Sequence, residues 1–255
     1  MQTDFSNKNV LITGGSRGIG KACASLFSSL NANVIITYCS NKEEAIHTIN
    51  SLNGEKHNSM FQLDISIAKS IESLFHELMR EYSRIDVLVN NAGVFIKHKI
   101  DEVSFEEWQR IWNDTITINL TGVSNLCYLV ANQMILQNQG KIINISSRGA
   151  FRGEPDHPAY AASKAGLNAM SQSLAVALGK YNILVGVVAP GFVDTEMAAD
   201  YLMSDAGEAI KKQSPLNRVA TPLEVARLVT TFASSGLEFM TGGIVDLNGA
   251  SYLRS

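Results

Sequence analysis

Short apolar runs and longer amphipathic stretches alternate along the chain. Val10–Thr13 is an apolar run that ends in glycines, the pattern of a buried strand. Helical spacing follows over Ile19–Leu30, then a second strand at Val34–Tyr38. Asn41 or Ser40 caps a helix through about Leu52, with Glu43 and Glu44 in a first turn where the helix dipole favours acids. The pattern then predicts a strand at Met60–Leu63, a helix over Ile67–Tyr82 and a strand at Ile85–Asn90. Phe105–Gln137 reads as one long helical stretch with a break near Asn113–Thr115. A strand at Lys141–Ser146 leads to a helix over Pro158–Leu178, stopped near Gly179, and a sixth strand at Ile183–Ala189. One or two short helices fill Thr195–Gln213. Thr221 and a proline at the first helical position open a helix over Pro222–Ser234, and Ile244–Leu247 is the seventh strand.

Strands apolar on both faces and separated by helices imply a parallel sheet covered on both sides. Crossovers in such a sheet are right-handed, and ligands sit beyond the carboxyl ends of its strands. The residues that follow each strand are therefore the ones to inspect for chemistry.

Length keeps this to one expected domain, residues 1–255, near the upper limit of roughly 250–300 residues for a single core. Hydrophobic residues at 45% and charged residues at 18% fit a globular protein, and a net charge of -3 argues against nucleic acid or an anionic membrane as partner. Cys23, Cys39 and Cys127 are scattered and odd in number, which fits a reducing compartment better than a disulfide framework. The histidines show no metal-ligand spacing, so no metal site is expected. The N-terminal stretch is too polar for a signal peptide, and no apolar run reaches the ~20 residues of a membrane span, so a cytoplasmic protein is expected.

After the first strand comes Thr13-Gly14-Gly15-Ser16-Arg17-Gly18-Ile19-Gly20. Glycines there permit a tight turn and close approach of a diphosphate, and the free amides of the next helix point at the anion. The spacing departs from Gly-x-Gly-x-x-Gly, so its place between first strand and first helix is what marks it as a dinucleotide cradle. The second strand ends at Tyr38 with no acid beside it to hold ribose hydroxyls. Arg17 is positioned to face a ribose 2′-phosphate, with Ser40 and Asn41 adding hydrogen bonds. NADP(H) is therefore the preferred cofactor and NAD(H) the alternative.

Tyr160 and Lys164 lie four apart in a helical segment and share a face. A free phenol titrates near ~10, and a neighbouring ammonium is expected to lower that value, making the tyrosine a proton donor or acceptor for a carbonyl–alcohol pair. A second Tyr-x-x-x-Lys, Tyr38 and Lys42, straddles a strand end and a helix start and reads as a decoy. Ser147, just past the fifth strand, offers a hydroxyl to the substrate oxygen. Asn119 sits late in the long helix, where asparagine is a poor helix former.

Together with Asp64, Asn90-Asn91-Ala92-Gly93 and Pro190-Gly191-Phe192-Val193-Asp194-Thr195, these pieces make the chain resemble the short-chain dehydrogenase/reductase family over nearly its whole length. The resemblance implies a Rossmann-type, doubly wound, seven-stranded parallel sheet with helices on both faces. It implies that Asp64 and the Ile65 amide meet the adenine, that Asn91, Ala92 and Gly93 line its ribose, and that Pro190, Gly191, Val193 and Thr195 flank the nicotinamide and the diphosphate. It also implies that Gly14, Ser16, Gly18, Ile19 and Gly20 form the cradle and that Tyr160 and Lys164 hold the nicotinamide ribose. Asn119 would hold a water that relays protons to Lys164. A homotetramer or homodimer is implied, paired through Phe105–Gln137 and Pro158–Leu178.

Within the family, Pro215-Leu216-Asn217-Arg218, Thr241-Gly242-Gly243 and Asn248-Gly249 resemble bacterial 3-oxoacyl-(acyl carrier protein) reductases in particular. The expected substrate is then a small-molecule or thioester carbonyl. Gln137-Asn138-Gln139 stands where carrier-protein reductases tend to be basic, whereas Arg148 and Arg152 near the mouth are candidates to meet an acidic partner. The competing readings are a reductase of another small ketone, sugar, steroid or cyclic alcohol, and a non-catalytic dinucleotide-binding regulator.

Overall fold

A computed structural model describes residues 4–54 and 57–254; the first three residues of the polar N-terminal stretch lie outside it. Among the described residues, seven strands form one sheet: β1 (Asn9–Ile12), β2 (Asn33–Tyr38), β3 (Ser59–Gln62), β4 (Val87–Asn90), β5 (Gly140–Ile145), β6 (Ile183–Pro190) and β7 (Ile244–Leu247). Their order is β3-β2-β1-β4-β5-β6-β7 and every pairing is parallel. The chain winds outward from β1 through β2 to β3, then returns and winds the other way from β4. The switch point, where such sheets bind ligands, thus falls between β1 and β4.

The parallel sheet covered on both faces that the periodicity predicts is found, in the doubly wound, seven-stranded form that the family resemblance implies. β1, β4, β5 and β6 are buried at every position, and alternate residues feed opposite cores. Val10 and Ile12 point into one cluster, with Phe27 of α1 (Gly18–Ser29) and Phe232 of α10 (Pro222–Ala233). Leu11 points into the other, with Leu78 of α3 (Ala68–Tyr82), Leu126 of α5 (Gly122–Gln137) and Leu167 of α7 (Pro158–Leu178). Helix starts follow the polar caps. Asn41 accepts from the Glu44 amide at 3.1 Å and opens α2 (Lys42–Asn50), so Asn41 rather than Ser40 is the cap. Thr221 and Glu224 form a reciprocal capping box at α10.

A buried polar line crosses the second core. Asn90 Nδ2 donates to Asn144 Oδ1 and Asn144 Nδ2 donates to Ser171 Oγ, each at 2.7 Å, which joins β4, β5 and α7.

Two expectations need correcting. The stretch from α4 (Phe105–Ile116) to α5 does not break at Asn113–Thr115; it widens one turn later into a π-helical turn, Thr117–Thr121. The polar residues of 113–115 continue a regular helix, and the irregular turn lies where Asn119 bonds across to another segment. A one-turn helix, α6 (Gly149–Arg152), follows β5 where no helix was expected. Thr195–Gln213 holds two helices, α8 (Glu196–Met203) and α9 (Gly207–Lys212). No helix among the described residues is long and apolar enough to cross a membrane.

Candidate active site

The turn after β1 is fastened to the turn after β4. Thr13 Oγ1 accepts from the amides of Asn91 and Ala92, and Asn91 Nδ2 donates to the carbonyls of Thr13 and Gly14, all at 3.0 Å. Gly14 and Gly18 take φ values of +62° and +52°, which disfavour any side chain. A Cβ on Gly20 would stand 2.2 Å from the Gly14 carbonyl oxygen, so α1 can reach this turn only with glycine at that position. The first turn of α1 has no side-chain cap and no acid, which leaves its amides free for an anion. A dinucleotide diphosphate fits this cradle.

One cleft runs along the carboxyl ends of the central strands. Gly14, Ser16, Arg17, Gly18, Ile19, Tyr38, Ser40, Asn41, Asp64 and Ile65 line it at one end. Asn91, Ala92, Gly93, Ser147, Tyr160, Lys164, Pro190, Gly191, Val193 and Thr195 line the rest. The structure therefore gathers into one cleft all but two of the residues given a catalytic or cofactor-binding role from the sequence. Gly20 and Asn119 sit one layer behind. Gly20 packs on Gly14, and Asn119, wholly buried, lies behind Gly93. Asn119 Oδ1 accepts from the Val94 amide at 2.8 Å, and its Nδ2 donates to the Val94 carbonyl at 3.0 Å and to Ser163 Oγ at 3.2 Å. The side chain thus pins the loop after β4 to α7.

Tyr160 and Lys164 share a face of α7, with the ammonium 5.7 Å from the centre of the tyrosine ring. Lys164 is 5% exposed and donates to the Ile145 carbonyl at 2.8 Å. Burial pushes its pKa down to about 8, so the group is charged at neutral pH but close to losing its proton. The expected lowering of the tyrosine is not what the structure has. Burial pushes Tyr160 up to about 12, a hydrogen bond with Ser147 pulls against this, and the Glu154 carboxylate adds to the rise. Desolvation of a phenolate outweighs an ammonium across that distance. Tyr160 therefore stands as a neutral phenol, a proton donor. The second Tyr-x-x-x-Lys pair is split as expected: Tyr38 ends β2, while Lys42 begins α2.

Arg17 does not stand free. Its Nη1 lies 3.1 Å from Glu196 Oε2, an exposed pair that links the glycine turn to the start of α8. An acid that the end of the second strand does not supply thus reaches Arg17 from elsewhere, Glu196 lying 179 residues along the chain. Arg148 is likewise not a surface group for an acidic partner protein, being 3% exposed.

Several residues in the cleft wall and packed behind it carried no signal in the sequence. The Phe95 ring stacks on His157 at 3.6 Å between centroids and meets the Tyr160 ring edge-on at 4.7 Å. His157 Nε2 bonds the Tyr201 hydroxyl of α8 at 2.8 Å, and burial pushes its pKa down to about 4, so the ring is neutral. Glu154, between α6 and α7, is pushed up by burial. Phe95 directly follows the Asn-Asn-Ala-Gly-Val run, and that adjacency was the one available hint.

A dinucleotide cradle at the switch point, with a tyrosine, lysine and serine gathered beyond β5, makes this protein a nicotinamide-dinucleotide-dependent oxidoreductase. A family model described as enoyl-(acyl carrier protein) reductase matches residues 14–249. The 3-oxoacyl-(acyl-carrier-protein) reductase FabG of Chlamydia trachomatis is 36% identical over 245 residues, 95% of this chain and 96% of that protein. The protein of the same name from Escherichia coli is 36% identical over 251 residues, 98% of this chain and 99% of that one. A solved short-chain dehydrogenase/reductase of Brucella melitensis superposes with a TM-score of 0.90 at 28% identity, over the full length of both chains. The chain belongs to the short-chain dehydrogenase/reductase family.

Proposed function

We propose that this single-domain protein reduces a β-keto compound to the β-hydroxy alcohol with NADPH, a 3-oxoacyl thioester being the first substrate to test. The observation that carries the reading is the gathering of Ser147, Tyr160 and the buried Lys164 in the cleft that the glycine cradle opens into, with the ammonium 5.7 Å from the tyrosine ring; burial favours the neutral, proton-donating phenol. The names of the Chlamydia and Escherichia relatives support the thioester. NADPH, when bound, supplies the hydride and its two electrons to the carbonyl carbon. Ser147 Oγ donates to the substrate oxygen and holds it toward Tyr160. Tyr160 Oη gives its proton to that oxygen as the C–O double bond becomes single, and the charged Lys164 stabilises the phenolate left behind. The phenolate then regains a proton from the Lys164 side, where Asn119 holds the relay in place. The reverse sequence oxidises the alcohol.

Specificity for NADPH rests on Arg17, by charge-assisted hydrogen bonding to the 2′-phosphate. Glu196 competes for the same guanidinium, so the two residues tune the preference in opposite directions. Arg17→Ala narrows the ratio of NADPH to NADH use and Glu196→Gln widens it; a wild-type enzyme using both equally refutes this part. A cytoplasmic homotetramer is the assembly proposed. Phe105, Tyr128, Leu136 and Val176, each at least 69% exposed on α4, α5 and α7, supply apolar faces for pairing. Light scattering after size exclusion reads the mass.

The deciding experiment follows oxidation of NADPH by an acetoacetyl thioester mimic. Tyr160→Phe keeps the packing and loses the proton, so turnover disappears while cofactor binding stays. Activity retained within about tenfold, ~1.4 kcal/mol of barrier, overturns the proposed role.

A further inference from the structure

Arg148 follows Ser147 directly and is 3% exposed, yet no carboxylate lies within ion-pair distance of it among the described residues. Its guanidinium is held by neutral groups: Nη1 donates to Ser251 Oγ, Nη2 donates to Gln213 Oε1 at 2.6 Å, and its carbon sits 5.2 Å from the centre of the Phe192 ring. A buried arginine ordinarily faces an acid, because an unpaired charge out of water is costly.

The surroundings sharpen the anomaly. Arg148 and Phe192 line both the catalytic cleft and a second cavity, about 770 Å³, beneath the C-terminal segment. That second cavity has two other arginines and two carboxylates in its wall, and these cancel. Arg218 is paired with Glu224 at 2.7 Å and Arg254 with Asp246 at 2.6 Å. One positive charge is left over, and it is the buried one beside the catalytic serine. On the cleft side, Glu154 sits 4.0 Å from Arg152 and attracts Arg148 only from beyond ion-pair distance, so the two guanidiniums share one carboxylate.

We propose that Arg148 is a substrate-anchoring residue, and that the ketone reduced at Tyr160 carries a carboxylate a few atoms from its carbonyl, which passes Phe192 to pair with this guanidinium. The proposal rests on the reductase reading and narrows its substrate class. An arginine extends roughly 6–7 Å from its backbone, a few bond lengths from Ser147. That reach suits a short keto acid and not the phosphate of a long carrier arm. Ser251 and Gln213 hold the fork in place, and a planar carboxylate replaces one of these neutral acceptors with a bidentate, charge-assisted pair.

The test uses two β-keto esters that differ in one distal group, 1-monomethyl 3-oxoadipate and its dimethyl ester, with NADPH. Wild-type enzyme is expected to favour the monoacid in kcat/KM by about tenfold or more, mainly through KM. Arg148→Gln brings the ratio close to one, and Arg148→Lys leaves it in between. A ratio near one in wild type, or an unchanged ratio in Arg148→Gln with both substrates equally slowed, overturns the proposal. A second readout needs no turnover. Glutarate should raise the thermal midpoint of the wild-type, NADP-bound enzyme and not that of Arg148→Gln. No shift in wild type sinks the anchor even if the reductase reading holds. A shift confined to wild type, with neither ester reduced, keeps the anchor and overturns the β-keto reading instead.

Discussion

Asn119→Ala tests whether the π-helical turn is held by one side chain. The substitution removes three hydrogen bonds. Ser163 keeps a partner, since its hydroxyl also donates to the Tyr160 carbonyl at 2.7 Å. The amide and carbonyl of Val94 lose the side-chain contacts at 2.8 and 3.0 Å. Leaving a buried polar group unmade costs about 1–3 kcal/mol, so two such groups amount to at most roughly 2–6 kcal/mol, and because the Val94 groups are only partly buried the lower half, roughly 2–4 kcal/mol, applies. For a chain of this size, 1 kcal/mol moves the unfolding midpoint by about 2–4 °C, which predicts a fall of roughly 4–16 °C. Circular dichroism melts and urea titrations of the wild type, Asn119→Ala and Ser163→Ala measure it. Ser163→Ala leaves Val94 satisfied and should cost about 1 kcal/mol or less. If Asn119→Ala melts within ~2 °C of wild type, or Ser163→Ala costs as much, the pin between the loop and α7 is not where the stability lies.

Gly20→Ala forces a methyl to within 2.2 Å of the Gly14 carbonyl and 2.6 Å of Asn91 Nδ2, so the cradle must open; cofactor affinity should fall by about tenfold or more, at a stability cost of roughly 1–3 kcal/mol, and an unchanged cofactor Kd would falsify the cradle. Lys164 titrates at about 8 in the folded protein and near ~10.4 when unfolded, so between these values the unfolded chain binds more protons and stability rises with pH. Below about pH 8 the contribution is constant, and Lys164→Met should lack the rise between roughly pH 8 and 10; identical urea midpoint slopes for both proteins in that window refute the burial account. Lys42→Met, at the start of α2, should leave turnover of the thioester mimic within about twofold of wild type, and damage equal to that of Lys164→Met would mean the pair at β2 had been misjudged.

The parts legible in the sequence are those set by local pattern. β1, β4, β5 and β6 are apolar on both faces and flanked by polar helices, so their existence and parallel pairing followed from composition within a few residues. The cradle followed from glycines whose positive φ values no other residue holds cheaply. What stayed hidden is contact between distant segments. Nothing in Thr117–Thr121 separates a π turn from an α turn, and the partner that Asn119 bonds from within it, the backbone of Val94, lies 25 residues away along the chain. Arg17 reads as free until Glu196 is folded beside it, and Arg148 reads as a surface arginine until Ser251 and Gln213 cover it. The Tyr160–Lys164 spacing was readable from helical periodicity, whereas the sign of the tyrosine's pKa shift depended on burial, which periodicity does not give.

The line Asn90–Asn144–Ser171 has a consequence for how freely this protein can change. Leu11 or Leu126 can be exchanged for another aliphatic of similar volume, because dispersion has no direction. The members of the polar line are directional donors: Asn90 Nδ2 meets both Asn144 Oδ1 and Cys127 Sγ, Asn144 Nδ2 meets Ser171 Oγ, and Asn90 and Asn144 face each other in register across β4 and β5. A one-residue slip of either strand turns one amide to the opposite side of the sheet and separates the two. The three positions therefore form a single unit of variation. Randomised together and selected for folding, they should return correlated triplets, either mutually bonding polar sets or wholly apolar ones, while the surrounding aliphatic positions drift one at a time. Because Ser171 lies on the helix that carries Tyr160 and Lys164, the permitted alphabet deep in the core is coupled to the placement of the reacting groups at its mouth.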